Sequence, residues 1–123
     1  MKTILIVEDS EACGETLQIA LESIPGVRTM VLRSPGAALA TLRNNDHDIA
    51  ALVTDLHMPV NNGFEIMREF RAVERYLGRP VLLISGDSDP LLPQRALENG
   101  ADAFFSKPYS PAAVRRKLEQ LLC

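Results

Sequence analysis

At 123 residues the chain has the length of one domain and can bury a substantial core. Its 46% hydrophobic and 24% charged content is that of an ordinary globular protein, and a net charge of −3 gives no global electrostatic reason to bind nucleic acid. The first apolar run is too short for a signal peptide or a membrane span, so the expected location is the cytoplasm, with no membrane partner. Cys13 and Cys123 lie far apart without metal-type spacing and are read as reduced thiols.

In chain order, the first apolar run is Ile4–Val7, ending at the acidic pair Glu8-Asp9. Cys13, Leu17, Ala20, Leu21 and Ile24 then share one helical face, and Pro25-Gly26 marks its end. Val27–Leu32 is a more mixed run, as suits an edge strand. Ser34-Pro35 pairs a capping side chain with a proline tolerated at the first helical position. Ile49–Val53 is the third apolar run, with Asp55 just beyond it. Ile66, Phe70, Val73 and Leu77 form the next helical face, closed by Gly78-Arg79-Pro80. Val81–Ile84 leads to Ser85. Asp89-Pro90 signals a fourth helix, which must be short because Pro93 fits only in a first turn. After Asn99-Gly100 come Ala103–Phe105 and Lys107. Ser110-Pro111 opens a last helix with Val114, Leu118, Leu121 and Leu122 on one face.

Short, continuous apolar runs alternating with amphipathic helices predict an α/β fold. The natural arrangement is an open five-stranded parallel sheet, order 2-1-3-4-5, with helices on both faces. Glu8-Asp9, Asp55, Ser85 and Lys107 all follow carboxyl ends of strands, so the topology gathers them on one sheet edge. Singly, each has a plain reading as a cap, a turn residue or a solvated lysine; the joint pattern does not. Two like charges about 4 Å apart repel by roughly 4 kcal/mol at an effective dielectric near 20. Three carboxylates facing one amine therefore call for protons or a hard cation, most economically Mg²⁺. Such a set suits phosphoryl transfer, with Asp55 best placed to accept the group.

ILIVEDS at the first strand, DLHMPVNNG around Asp55, LLISGD at the fourth and ADAFFSKP at the fifth resemble the receiver domains of two-component response regulators, from Lys2 to Leu122. The resemblance implies the flavodoxin-like receiver fold and phosphorylation of Asp55 by a phosphohistidine on a sensor histidine kinase or histidine phosphotransfer protein. Asp9, Asp55 and the backbone carbonyl of His57 would bind Mg²⁺, or Mn²⁺, with Glu8 acting through water. Lys107 would pair with the phosphoryl group, Ser85 would shift to hydrogen-bond it, and the Lys107-Pro108 peptide would be cis. Phe104 stands where the family places a switching aromatic, commonly tyrosine; without a hydroxyl it would work through packing alone. Ser85 replaces the commoner threonine. His57 and Asp87 occupy positions that tune self-dephosphorylation in the family.

His47, in the polar stretch NNDHD, is read as a loop residue, and Arg115-Arg116-Lys117 as a solvated helical face. The expectation is one receiver domain over residues 1–123, with no output domain visible. It would be a regulatory phosphoacceptor and not an enzyme, acting through protein contacts that include a possible homodimer through the helix 4–strand 5–helix 5 face. Two other functions compete: a receiver-like binding module that is never phosphorylated, and an aspartate-dependent phosphatase. The latter usually carries a second aspartate where this chain has His57.

Overall fold

The computed structural model describes residues 1–44, 46–58 and 63–122. Pro59, Val60, Asn61 and Asn62 of the DLHMPVNNG motif, and Cys123, lie outside the described residues. Among those described, β1 (Lys2–Val7), β2 (Val27–Leu32), β3 (Ile49–Asp55), β4 (Val81–Ser85) and β5 (Ala103–Ser106) form one parallel sheet in the order β2-β1-β3-β4-β5. Between and after them run α1 (Glu11–Glu22), α2 (Pro35–Arg43), α3 (Gly63–Ala72), α4 (Leu92–Glu98) and α5 (Pro111–Leu122).

Side chains alternate across a strand, so each central strand feeds two cores. Leu5 and Val7 of β1 pack with Leu39 and Leu42 of α2, Ile66 and Phe70 of α3, and Leu92 of α4. Ile4 and Ile6 face the other way, against Leu17 and Leu21 of α1 and Val114 and Leu118 of α5. The apolar runs were continuous because both faces are covered. β2, at the edge, buries only Val27 fully.

Helix starts follow the capping chemistry. Ser34 Oγ accepts from the Ala37 amide at 3.2 Å and Ser110 Oγ from Ala113 at 3.3 Å. Ser10 caps α1 through Cys13 at 3.3 Å, a role the sequence reading did not assign. The fourth helix begins later than Asp89-Pro90 suggested. Asp89 Oδ1 accepts the Leu91 amide at 2.9 Å and its carbonyl takes Leu92 at 3.1 Å, forming a turn that delays α4 to Leu92. Pro93 then falls in the first turn of a seven-residue helix.

The face read as Ile66, Phe70, Val73 and Leu77 holds only in part. α3 stops at Ala72, and Val73 turns extended (φ −80°, ψ 117°) before a 3-10 turn at Glu74–Tyr76. That reset of the helical period turns Leu77 outward, 64% exposed, and brings Tyr76 in, fully buried. Tyr76 stacks on Phe70 at 4.8 Å between ring centroids, and its hydroxyl donates to the His47 carbonyl at 2.8 Å.

Candidate functional site at the carboxyl edge of the sheet

Parallel strands place all their carboxyl ends on one edge, and a few backbone bonds extend the ladder past them. The Glu8 amide donates to Leu32 O at 3.0 Å, Leu56 to Ile84 O at 2.8 Å and Lys107 to Ser85 O at 2.8 Å. These bonds fix Glu8 and Lys107 just beyond β1 and β5, and Leu56 just after Asp55, the last residue of β3. Glu8, Asp55 and Ser85 are buried, Asp9 is exposed and Lys107 is half-buried.

Lys107 bridges two of the acids: its Nζ lies 2.9 Å from Asp55 Oδ2 and 3.0 Å from Glu8 Oε1. The second oxygens are held by main chain. The Ser10 amide donates to Glu8 Oε2 at 3.2 Å, and the His57 amide to Asp55 Oδ1 at 3.2 Å. One carboxyl oxygen from each of Glu8, Asp9 and Asp55 lies within 4.8 Å of the others.

Electrostatics follow from this packing. Burial pushes the Glu8 carboxyl up to about 7, against hydrogen bonds from Lys107 and the Ser10 amide that favour its ionised form. For Lys107, burial alone would lower the amine; its bonds to Asp55 and Glu8 more than offset this and hold it above the ordinary lysine range. One amine does not balance three carboxylates, and Glu8 meets the deficit by tending to keep a proton. The donors are all oxygen, so the residues fit a hard divalent cation such as Mg²⁺.

Ser85 Oγ accepts the Asp87 amide at 3.0 Å. Phe104 is half-buried against the α2/α3/α4 core, paired in register with Leu83. The Lys107-Pro108 peptide is cis. The His57 ring does not simply face solvent: Nε2 lies 3.0 Å from Asp87 Oδ2, joining the loop after β3 to the loop after β4. The family resemblance gave these two residues one tuning role in common but implied no contact between them. His47 lies in its loop, its carbonyl taken by Tyr76, and Arg115 of the basic run is half-buried where full solvation was expected.

One residue was missed. Gly63 donates its amide to Leu56 O at 2.7 Å, and a Cβ there would meet Asp55 O at 2.6 Å. The signal in the sequence is the glycine of DLHMPVNNG, eight positions after Asp55.

Sites of this kind, rich in carboxylate and set where the strand order of a doubly wound sheet reverses, bring a cation and an oxyanion together. The chain belongs to the response regulator receiver domain family, whose model matches residues 4–119. It is 26% identical over 119 residues to a chemotaxis protein CheY homolog of Campylobacter jejuni, covering 97% of this chain and 91% of that one. It is 32% identical over 121 residues to the DNA-binding response regulator MtrA of Mycolicibacterium smegmatis, 95% of this chain but 50% of the relative. The chemotaxis response regulator CheY4 of Vibrio cholerae superposes with a TM-score of 0.84 over 98% of both chains at 24% identity, which establishes a common fold. Among the described residues no helix is long and apolar enough to cross a membrane.

Proposed function

We propose that the protein is a phosphorylation switch of two-component signalling, working in the cytoplasm as a regulatory phosphoacceptor. Asp55 takes the phosphoryl group from a phosphohistidine on a sensor histidine kinase or histidine phosphotransfer protein. The donor P–N bond breaks and a P–O bond forms to one Asp55 carboxylate oxygen. The imidazole departs with the electron pair, a proton on its other nitrogen leaving it neutral. Asp9, Asp55 and the His57 carbonyl would hold Mg²⁺ or Mn²⁺, with Glu8 reaching it through water. Bound there, the cation neutralises charge on the carboxylates and on the incoming phosphoryl oxygens.

The observation that carries this reading is the position of Lys107 Nζ, 2.9 Å from Asp55 Oδ2 within a cluster of three acids. The same amine can follow the charge onto a phosphoryl oxygen once Asp55 carries the group as an acyl phosphate. Ser85 would then turn its hydroxyl to the phosphoryl group, and Phe104 would settle further into the core behind it. An apolar groove between Ala12, Cys13 and Thr16 of α1 and Pro108 and Tyr109 reaches Lys107, giving a donor protein a shelf beside the acceptor. The output face is α4–β5–α5, where Leu91 and Leu97 are each 54% exposed; a homodimer formed there would respond to phosphorylation.

Intact mass after incubation with Mg²⁺ and a small-molecule phosphodonor tests the chemistry. One phosphoryl adduct is expected, absent with chelator and in Asp55→Asn. Mg²⁺ binding without an adduct from any donor, including a phosphohistidine protein, would favour a phosphorylation-independent binding module. Turnover of a phosphomonoester would favour a phosphatase.

A further inference from the structure

Three contacts at the site form a continuous chain across two loops. The His57 amide donates to Asp55 Oδ1 at 3.2 Å, the His57 ring nitrogen Nε2 lies 3.0 Å from Asp87 Oδ2, and the Asp87 amide donates to Ser85 Oγ at 3.0 Å. The last of these is a local bond that a serine makes readily to the amide two residues on. The middle one is different in kind. It spans 30 residues of sequence and ties the loop that follows the switch hydroxyl to the loop that follows the acceptor. Asp87 is itself anchored on its far side, Oδ1 accepting the Asp89 amide at 2.9 Å.

We infer that the His57–Asp87 bridge is a latch that holds Ser85 in its resting position, so that the two side chains act as one unit against the shift to the phosphorylated conformation. This rests on the phosphoacceptor reading above and deepens it. For the Ser85 hydroxyl to reach a group on Asp55, its contact with the Asp87 amide must lengthen. A shift of the segment after β4 relative to the segment after β3 would bring this about and carry Asp87 with it. While Asp87 is tied to the His57 ring, the movement stretches the bridge as well. Through their side chains His57 and Asp87 touch neither the reacting atoms nor the acidic cluster, His57 meeting Asp55 only by its backbone amide; the side chains are positioning groups acting through Ser85. Both side chains are about half exposed, at 55% and 41%, so the restraint is modest: release should shift the equilibrium by about two- to five-fold.

The test is equilibrium binding of beryllofluoride with Mg²⁺, a mimic of aspartyl phosphate that is not hydrolysed and so is insensitive to phosphoryl lifetime. His57→Ala and Asp87→Ala should each tighten binding by about two- to five-fold, and the double variant should gain no more than either single one. Unfolding midpoints should stay close to wild type. In beryllofluoride-free protein, His57→Ala should also move the Asp87 amide resonance, which reports the Ser85 contact from the far side of the bridge. Additive effects, weakened or unchanged binding, or an unmoved Asp87 amide would overturn the latch while leaving Asp55 as acceptor intact. Wild-type protein that binds no beryllofluoride, or binds it equally with Asp55→Asn, would overturn the acceptor reading and the latch with it.

Discussion

Gly63 packs so tightly on the main chain of Asp55 that a methyl group there would sit 2.6 Å from the Asp55 carbonyl oxygen and 2.9 Å from Leu56 Cα. Neither neighbour is a flexible side-chain end, so the backbone itself must give. The first residue of α3 is in this way a template for the end of β3. Gly63→Ala is expected to destabilise the fold by about 1–3 kcal/mol, as overpacking does, and to slow acceptance of a phosphoryl group by displacing Asp55. Denaturant unfolding and the rate of adduct formation check both parts; wild-type values for both would show that the site tolerates the displacement.

Glu8 gives a pH dependence of defined sign. Its carboxyl is raised from 4.5 to about 7 in the folded protein. Stability from this group is fully present below pH 4.5 and falls as pH rises, because across that window the folded state keeps a proton the unfolded state has lost. Above about 7 the contribution is gone. A cation favours the ionised carboxylate, so Mg²⁺ should raise the melting temperature more at pH 8 than at pH 6. Glu8→Gln should flatten that difference. A Mg²⁺ effect independent of pH in the wild type would show that Glu8 does not report on the cation.

Lys107 and a divalent cation compete for the same negative potential. Lys107→Ala removes the amine that lies within 3.0 Å of both Glu8 and Asp55, and it should bind Mg²⁺ several-fold more tightly in titrations without phosphodonor. The same variant should respond poorly to beryllofluoride, since the amine is no longer available to an added anion. Weaker Mg²⁺ binding would mean that Lys107 chiefly holds the carboxylates in place.

Away from the site, Tyr76 links the end of α3 to the loop before β3. Tyr76→Phe removes a hydroxyl that donates to the His47 carbonyl and should lower stability by about 1 kcal/mol. Tyr76→Ala also removes the ring stacked on Phe70 and should lower it by about 3–5 kcal/mol. Chemical denaturation separates the two. Equal effects would assign the whole contribution to the hydrogen bond.

The sheet was legible because its signal is coarse: five apolar runs separated by capped amphipathic segments leave few topologies. The acidic, hydroxyl and amine residues were legible because each lies within two residues of the end of a run, so that parallel order alone brings them to one edge. What escaped depended on local geometry. Asp89-Pro90 has the composition of a helix start, yet the aspartate uses its bonds on a turn that precedes α4. Leu77 continued a helical period that Val73 had already broken, which gave its inward place to Tyr76. The His57–Asp87 contact joins two loops whose closeness depends on how each leaves its strand, and no spacing in the sequence encodes that.

β1 offers a last consequence. Leu5 and Val7 point into one core, Ile4 and Ile6 into the other. These side chains are so alike that a slide of one residue would put an apolar side chain of similar volume at three of the four positions, a change that packing there resists only weakly. Glu8 cannot slide so freely. A shift in one direction drives its carboxylate into the hydrophobic layer now occupied by Val7, and a shift in the other takes it away from Lys107. The acid at the end of the strand therefore serves as a fiducial mark for the chain, indexing β1 against its neighbours where hydrophobicity alone is nearly degenerate.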